Sequence, residues 1–325
     1  MLKQSISIFL CAAIIGCISV SCTGDKEVQE SSEGLQGEIT ISGAFALKPL
    51  VDKWAEEFQK ANPDVVIDVS GGGAGKGMTD VLSNMVDLGM VSREVFPAEL
   101  EKGAYPIGVA IDAVVPTINA SNPLLAELKK TGLTRKKAQE IWIAQTCKSW
   151  ESVLGKTGKT DIHVYNRSDA CGAAETFALW MGAKQENLQG TGVLYDPGVA
   201  NAIQTDKLGI GYNNLGYAYD DKTHKLNPNM EILPLDVNEN GQIDPQESFY
   251  GTKDEVIKAI ATGQYPSPPA RQLYLVAKGK PTNPVVQAFL KYVLTEGQKL
   301  NIPTGYINIE ESQTQKSLKD LGLDK

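Results

Sequence analysis

The chain has 325 residues, 42% hydrophobic and 22% charged, which is enough for sizeable cores, and this length favours two domains over one. Its formal net charge of −8 argues against a nucleic-acid surface, where a basic patch is expected. Any anion that the protein binds must therefore be attracted by local dipoles and a few cations, because the global charge repels it.

The N-terminal segment predicts a lipoprotein signal peptide at residues 1–22. A short stretch with Lys3 precedes a mostly apolar run at 5–21, and polar sequence begins at Thr23. The apolar run is too short and too rich in serine for a membrane span, which needs ~20 apolar residues. Residues 23–37 are acidic and polar without an apolar period, so they are expected to form a disordered tether.

Two cysteines are candidates for lipidation. Cys17 follows the more lipobox-like letters IIG, whereas Cys22 lies at the edge between apolar and polar sequence. Cys22 is preferred, because cleavage at Cys17 would leave Ile18 and Val20 in the mature tether. The alternative is an ordinary signal peptide that is cleaved without lipidation. A lipid at Cys22 would anchor the protein to a membrane, in the periplasm or at the cell surface.

Two further cysteines, Cys147 and Cys171, lie in the mature chain. They could pair in an oxidising compartment. A disulfide requires Cα atoms within ~7 Å, which the sequence does not show. Two buried free thiols are the alternative.

Strands and helices alternate along the mature chain, which indicates an α/β fold. Runs of β-branched and alternating apolar residues predict strands at 38–42, 65–69, 86–91, 105–119, 162–165, 209–212 and 272–277. Apolar residues at helical spacing predict helices at 49–61, 133–145, 175–181, 199–205, 254–261 and 284–294, and a short helix that carries Met78, Val81 and Leu82.

Three strand-to-helix turns are rich in small residues. The first turn is 42–46 (SGAFA), the second turn is 70–77 (SGGGAGKG) and the third turn is 167–173 (RSDACGA). Small residues let a ligand approach the backbone, and the N–H groups of a helix N-terminus suit an anion. Ligands of open α/β sheets bind beyond the carboxyl ends of strands. The three turns together with Arg167 therefore predict an oxyanion site.

Each turn also has an interpretation without a ligand. The second turn is not a P-loop, because Ser70 replaces the first glycine of that motif and Gly77 replaces its Ser or Thr. A tight turn that needs glycine for its backbone would explain the same letters. Arg167 alone would be an ordinary surface arginine.

Residues 236–247 match the calcium-loop pattern D-x-[DN]-x-[DN]-G-x5-E at every defined position. Gly241 permits the sharp turn, and hard oxygen ligands suit Ca²⁺ over Mg²⁺. No clear helix precedes the loop, so a lone loop with a structural Ca²⁺ is predicted. The alternative is an acidic, amide-rich turn that binds no metal. The predicted ligands are Asp236, Asn238, Asn240, Gln242 through its backbone carbonyl, Asp244 and Glu247.

Little in the sequence indicates catalysis. The two histidines, His163 and His224, lie in a predicted strand and in a polar loop, and neither a Gly-x-Ser-x-Gly nor a His-Glu-x-x-His motif occurs. Cys171 precedes a helix and is a candidate nucleophile, but no base is evident near it in the sequence. The prediction is a binding protein and not an enzyme.

Several segments resemble the phosphate-binding proteins of ABC phosphate transporters, within the type II periplasmic binding protein superfamily. The resemblance covers nearly all of residues 38–309. It is carried by the first turn with Trp54, the second turn, 87–93 (DLGMVSR), 109–123 with Asp112, 133–142 with Trp150, 209–212 (GIGY), 265–275, 296–298 and 305–307.

The resemblance implies a type II periplasmic-binding-protein fold, in which two α/β lobes are joined by two strand crossovers with a ligand cleft between them. Lobe 1 would comprise 38–115 and 276–325, and lobe 2 would comprise 116–275 with the calcium loop. The implied function is an extracytoplasmic solute-binding lipoprotein that captures phosphate or a related small oxyanion and passes it to a membrane-embedded ABC permease. The alternative is a surface interaction or sensory lipoprotein that kept the fold but not the anion site.

The turns depart from the usual pattern of that family. Ala46 stands where Thr is typical, Ala74 where Ser is typical, 171–173 where Ser-Gly-Thr is typical, and Ser92 where a proton-accepting Asp is found. Each lost hydroxyl removes a hydrogen bond worth ~1 kcal/mol net. Candidate replacements include Lys76 and Asn213. The predicted ligand-binding residues are Ser42, Phe45, Ala46, Gly73, Ala74, Gly75, Ser92, Arg93, Arg167, Asp169, Cys171, Gly172 and Ala173.

Overall fold

A computed structural model describes residues 34–324, and the strands in this range belong to one mixed sheet. The strands are Gly37–Gly43 (β1), Val65–Gly71 (β2), Leu88–Val91 (β3), Ala104–Asn119 (β4), His163–Arg167 (β5), Thr191–Val193 (β6), Gly209–Asn214 (β7), Met230–Ile232 (β8) and Ala270–Lys278 (β9). Their order across the sheet is β2-β1-β3-β9-β4-β7-β5-β6, and β8 pairs with β4. β9 is antiparallel to β3 and β4, and β4 is antiparallel to β7 and β8, whereas the other pairs are parallel.

Helices connect most of these strands, as expected for an α/β chain. The α-helices are Lys48–Ala61 (α1), Ala74–Leu82 (α2), Pro97–Glu101 (α3), Leu125–Thr131 (α4), Arg135–Trp142 (α5), Trp150–Val153 (α6), Gly172–Trp180 (α7), Tyr195–Thr205 (α8), Leu215–Ala218 (α9), Lys253–Ala261 (α10), Pro284–Leu294 (α11), Asn301–Thr304 (α12) and Glu311–Leu321 (α13). None of the helices in residues 34–324 combines the length and the apolar character that crossing a bilayer demands.

The predicted signal peptide at 1–22, with Cys17 and Cys22, lies outside the described residues, as do residues 23–33 of the predicted tether. Residues 34–36 have no regular structure, and β1 begins at Gly37. The lipidation site therefore stays a prediction.

The strands and helices predicted from apolar periodicity are confirmed, and the residues that formed the apolar pattern are the ones that the structure buries. β2, at the edge of the sheet, buries Val65 and Ile67 and exposes Val66 and Asp68, which is the alternation of a half-buried strand. β3 and β7 lie inside the sheet and are buried along their whole length. α1 has proline in its first turn and buries the apolar stripe that predicted it, including Trp54.

Two long antiparallel strands connect two hydrophobic cores. β4 pairs with β9 from Ala104 to Ala113 and continues beside β7 and β8. On β4 the core that contains α1, α2 and α11 ends at Ala110, and the core that contains α5, α7 and α8 begins at Ala113. On β9 the change falls between Ala270 and Leu273. The predicted lobe limits, 115/116 and 275/276, stay a prediction and lie a few residues beyond these points.

Some elements were not predicted, for physical reasons. β6 and β8 have three residues each, too few to show a period. α13 is mostly polar and buries only Thr314, Leu318 and Leu321. α7 begins at Gly172, three residues before the predicted start, because the Cys171 sulfur accepts a hydrogen bond from the Ala174 N–H and caps the helix.

Candidate functional site

The three turns of small residues meet at one place. The first and second turns follow β1 and β2, which run parallel in register from Gly37 to Gly43, so both turns leave the same edge of the sheet. The Gly73 N–H donates to the Gly43 carbonyl at 3.0 Å, which joins the second turn to the first. The Gly75 N–H donates to the Ala170 carbonyl at 3.2 Å, which joins it to the third. Segments more than 90 residues apart in sequence thus form one site.

Backbone approach at this junction is close enough to require glycine. A Cβ atom on Gly172 would lie 2.1 Å from the Ser92 carbonyl oxygen and 2.3 Å from its Oγ atom. A Cβ atom on Gly75 would lie 2.9 Å from the Cβ of Ala170. The glycines therefore let the segments that follow β2, β3 and β5 approach one another.

Arg167 is buried and held by two carboxylates. Its Nε and Nη2 atoms donate to the two oxygens of Asp169, at 2.7 and 2.5 Å, and its Nη1 atom donates to Asp196 at 2.6 Å. Burial disfavours the charged guanidinium, but the hydrogen bonds of Asp169 and the charge of Asp196 outweigh it and raise the pKa of Arg167. The arginine is 4% exposed and permanently charged, with two negative partners.

The network continues to an arginine that the sequence analysis missed. Asn214 donates to the second oxygen of Asp196 and accepts a hydrogen bond from Nη2 of Arg271. The Nη1 atom of Arg271 donates to the Gly172 carbonyl at 2.8 Å, so Arg271 contacts the third turn directly. Asp112 lies opposite Arg271 in the pairing of β4 with β9. The sequence signal for Arg271 was a charged residue directly before the predicted strand at 272–277.

Residues of the first and second turns form hydrogen bonds with neighbouring residues of the protein. The Ser42 hydroxyl donates to Oδ2 of Asp80 at 2.6 Å, and the Lys76 ammonium bonds to the same oxygen. Ala46 accepts a hydrogen bond from the Tyr306 hydroxyl at its carbonyl, at 2.7 Å. Asp80 therefore binds both the Ser42 hydroxyl of the first turn and the Lys76 ammonium of the second turn. Both groups are candidate replacements for the lost hydroxyls.

Two further candidate residues have partners within the protein. Arg93 donates to both oxygens of Glu99, at 2.7 and 2.9 Å, and its guanidinium lies 4.2 Å from the ring centre of Phe96. Asn213 accepts a hydrogen bond from the Thr117 hydroxyl at 2.7 Å. Asn213 and Asn214 are neighbours in β7, so their side chains point to opposite faces, and Asn214 faces Arg271.

Cys171 is buried and has the character of a structural thiol. It is 4% exposed, and burial raises its pKa to about 12, although the charge of Arg167 opposes the shift. A thiol with that pKa is almost never a thiolate at neutral pH, so it is a poor nucleophile. Cys147 is also buried, and both cysteines are free thiols, which decides between the two alternatives left by the sequence.

A cavity of about 490 Å³ opens beside the junction. Gly75, Arg93, Ala170, Cys171 and Lys184 are among the residues that line it. A larger cavity of about 620 Å³ lies elsewhere, around His163 and Tyr165, and contains no residue of the three turns. The cavity of about 490 Å³ therefore adjoins the second and third turns, and a further cavity of about 360 Å³ is lined by Arg93, by Arg271 and by Glu175 of α7.

Residues 236–247, the predicted calcium loop, form a compact turn. Asp236 accepts the N–H groups of Asn240 and Gly241, and Gly241 has a φ of +85°. Glu247 accepts the N–H groups of Val237 and Asp244 with its two oxygens, at 2.8 and 3.1 Å. No group of three or more His, Cys, Asp and Glu side chains in residues 34–324 is arranged to hold a metal ion. The three carboxylates of the predicted ligand set, Asp236, Asp244 and Glu247, therefore do not converge as such a group, and the metal site stays a prediction.

Comparisons with known proteins show the family of this chain. A family model described as a PBP superfamily domain matches residues 28–296. The phosphate-binding protein PstS of Pseudomonas aeruginosa PAO1 is 27% identical over 341 residues, covering 96% of each chain. The protein of the same name from Bacillus subtilis 168 is 27% identical over 325 residues, covering 97% of this chain and 98% of the relative.

A solved structure shows the same fold. The ABC-type phosphate transport receptor of Vibrio cholerae matches with a TM-score of 0.60 and 20% identity, covering 83% of this chain and all of the receptor. The predicted type II periplasmic-binding-protein fold, an α/β fold with a mixed sheet, is thereby confirmed. Because the family model matches more than four-fifths of its length, this chain belongs to the PBP superfamily.

Proposed function

We propose that this protein is an extracytoplasmic solute-binding protein that captures phosphate or a related small oxyanion for an ABC transporter. The observation that carries the proposal is the meeting of three glycine-rich strand-to-helix turns beside two buried arginines, Arg167 and Arg271. Turns of this kind offer backbone N–H groups, and guanidinium groups bind oxyanions through paired hydrogen bonds. The two relatives above are named as phosphate-binding proteins and are similar along almost all of this chain.

The missing hydroxyls require other donors. An arginine has five N–H groups, and Arg167 uses three of them in the contacts with Asp169 and Asp196. Arg271 is a second buried guanidinium at the third turn, where a neutral hydroxyl is lost. Hydrogen bonds to a charged donor are about twice as strong as neutral ones. Two arginines therefore offset the loss of several hydroxyls at ~1 kcal/mol each.

The proposal is for a receptor and not an enzyme. Cys171, the candidate nucleophile, is buried with a pKa of about 12, so it lacks the thiolate that a cysteine enzyme uses. Delivery to a membrane-embedded permease is supported by the similarity to phosphate-binding relatives along almost all of the chain. Anchoring by a lipid at Cys22 is supported by the sequence pattern of residues 1–22.

We also propose that residues 236–247 bind a structural Ca²⁺. Asp236 and Glu247 are 1% and 5% exposed, and neither forms a salt bridge within residues 34–324. Buried carboxylates are normally paired with a cation or a metal ion. Asp244 adds a third carboxylate, which the Asn238 and Asn240 amides contact at 2.9 Å. A cation in the loop would offset this concentration of negative charge.

Calorimetric titration of the protein with phosphate, sulfate and molybdate tests the receptor function. We expect saturable one-to-one binding of at least one of these anions, and for Arg167→Lys at least a tenfold weaker affinity, because lysine lacks the planar fork. Arg135→Lys, an exposed position on α5, is the matched control and should bind like the wild type. No binding of any oxyanion at millimolar concentration would overturn the proposal and favour a surface interaction protein.

A further inference from the structure

Asp112 and Arg271 form a buried pair of opposite charges at the strands that connect the two cores. They lie directly opposite each other in the antiparallel pairing of β4 with β9, so their side chains share one face of the sheet. Asp112 is 2% and Arg271 8% exposed. The closest approach, from Nη2 of Arg271 to Oδ2 of Asp112, is 3.7 Å, which is an ion pair without a hydrogen bond.

Both members of this pair have unsatisfied polar atoms. Neither oxygen of Asp112 accepts a well-formed hydrogen bond within residues 34–324, although the adjacent Ala113 N–H helps to favour the ionised form. The Nε atom of Arg271 also lacks an acceptor there. A buried polar atom without a partner costs roughly 1–3 kcal/mol, and native proteins seldom leave several together. The arrangement points to a polar ligand that supplies the missing partners.

Arg271 adjoins the third turn. Arg271 donates to the Gly172 carbonyl at 2.8 Å, in the first turn of the nine-residue helix α7. Arg167, by contrast, is hydrogen-bonded to Asp169 and Asp196, so two negative charges already face its single positive charge. No carboxylate is hydrogen-bonded to Arg271 in the described chain. Arg271 is therefore the arginine with the stronger remaining attraction for an anion.

The charge around Asp112 opposes an added anion. The titratable and charged groups that act on Asp112 are Arg271 on β9, Lys253 on α10, Asp196 on α8, Tyr265 and Tyr306. Burial raises the pKa of both tyrosines well above their usual value, so they stay neutral, and Lys253 is paired with Asp221 at 2.7 Å. Arg167 and Arg271 face Asp112, Asp169 and Asp196, which leaves a net charge of about −1 when all are ionised.

We propose that Asp112 and Arg271 extend the anion site and link it to protons: Arg271 faces the bound oxyanion, and one proton is taken up by the Asp112–anion pair when the anion binds. The proposal rests on the oxyanion-binding function proposed above. The proton comes from solvent and is shared between the Asp112 carboxylate and an anion oxygen. The two negative groups then form a hydrogen bond and do not repel each other. Ligands that lack a proton, such as sulfate, are included because Asp112 itself can carry it.

The affinity for the anion should depend on pH, because anion binding is coupled to proton binding at Asp112. Burial raises the pKa of Asp112 to about 6 in the protein without ligand, against the opposing charge of Arg271. A bound anion adds negative charge and raises this pKa further, so the complex holds more protons than the free protein. Affinity should therefore increase as the pH falls from 8 toward 6, by up to about tenfold per unit, and level off below 6.

The test is calorimetric titration with inorganic phosphate and with sulfate at pH 7.5, in buffers of different ionisation enthalpy, which gives the protons taken up per anion. We expect the wild type to take up more protons than Asp112→Asn, with a difference approaching one. Asp68→Asn, an exposed aspartate on β2, is the matched control and should behave like the wild type. Equal proton uptake by the wild type and Asp112→Asn, with both binding, overturns the proposal and leaves the receptor function intact.

A second measurement covers the case in which Asp112→Asn does not fold. Carbon-13 NMR of aspartate side-chain carboxyl groups in the wild type should show one group that titrates near pH 6. The pH at the midpoint of this titration should increase when phosphate or sulfate saturates the protein. A spectrum with bound anion and no such increase overturns the proposal. If the wild type binds neither anion, both this proposal and the receptor function fail.

Discussion

The rings of Phe45 and Tyr195 lie 5.1 Å apart, with their planes inclined by 44°. Phe45 belongs to the first turn, before α1, and Tyr195 begins α8, which packs on the other core. Tyr195 has a φ of +63°, a left-handed conformation that is uncommon for residues other than glycine, and its N–H donates to Asp169 at 3.2 Å. The pair connects an element of each core beside the three turns, so we infer that it stabilises the contact between them.

Removing the Tyr195 ring should weaken anion binding. An aromatic pair contributes roughly 0.5–1.5 kcal/mol beyond its buried area, so Tyr195→Asn should raise the Kd for phosphate about threefold to tenfold, mainly through faster dissociation. Asparagine tolerates the left-handed backbone, so the substitution removes the ring without adding strain. Stopped-flow kinetics measures the effect. Leu194→Asn, at a 59% exposed neighbour, is the control, and equal rates in the two variants would refute the role of the ring.

Gly172→Ala should prevent close contact between the third turn and Ser92. Its Cβ atom would lie 2.1 Å from a backbone carbonyl, which cannot rotate away as a side chain can. The two segments belong to different cores, so the clash can be relieved by separation, and we expect at least tenfold weaker phosphate binding with little loss of thermal stability. Gly198→Ala in α8 is the matched control, because its nearest contact would be an ordinary 3.6 Å. Unchanged phosphate affinity for Gly172→Ala would show that anion binding does not require the close contact between the third turn and Ser92.

The sequence was sufficient for the fold and the turns, because both depend on local signals. Apolar periodicity set the strands and helices, and small residues after β1, β2 and β5 marked the three turns. The arginine network depends on residues that the sheet order brings together. Arg271 and Gly172 are 99 residues apart, and Arg271 and Asn214 are 57 apart. Sequence patterns contain no information on such pairs until the register of β4 with β7 and β9 is known.

Arg93 has a local partner that the sequence analysis did not predict. Its position after β3, beside Ser92, favours a ligand role, and Glu99, six residues later on α3, pairs with it through both oxygens. The fork geometry of Arg93 with Glu99 is a strong form of arginine–carboxylate pairing, and Arg93 also lines the cavity beside the junction, so its ligand role stays a prediction.

Replacing Arg167 by methionine should destabilise the fold. Asp196 is 3% exposed and would lose its ion pair, and Asp169 would lose both hydrogen bonds from the guanidinium. Removing one partner of a buried ion pair typically costs about 3–5 kcal/mol of unfolding free energy. Urea denaturation measures the change, and Arg135→Met on the surface of α5 should cost less than about 0.5 kcal/mol. A similar loss in both variants would show that the Arg167 pairs contribute no net stability.

Both cysteines of the mature chain should resist alkylation in the folded protein. Burial raises the pKa of Cys147 and takes that of Cys171 to about 12, so the thiolate fraction at pH 8 is very small. We expect iodoacetamide to label neither thiol in an hour at pH 8, and to label both within minutes in urea, where a thiol titrates at ~8.5. Mass spectrometry counts the labels. Rapid labelling of Cys171 without denaturant would contradict its burial and reopen the case for a nucleophile.

The response of the melting temperature to Ca²⁺ distinguishes metal binding by residues 236–247, the predicted calcium loop, from ordinary loop packing. Glu247 and Glu239 belong to the same loop, but Glu247 is buried and accepts three backbone N–H groups, whereas Glu239 is exposed at a position without a ligand role. If Ca²⁺ binds, it should raise the melting temperature of the wild type, because a ligand that binds only the folded state stabilises it by mass action.

Glu247→Gln removes a charge that both a metal ion and the backbone amides would use, so it should lower stability with or without calcium. The informative quantity is therefore the difference in melting temperature between protein with 1 mM Ca²⁺ and protein with chelator. We expect this difference to disappear in Glu247→Gln and to persist in Glu239→Gln. A wild type whose melting temperature does not respond to Ca²⁺ would mean that N–H groups alone satisfy Glu247, and the loop would then be an acidic turn without a metal.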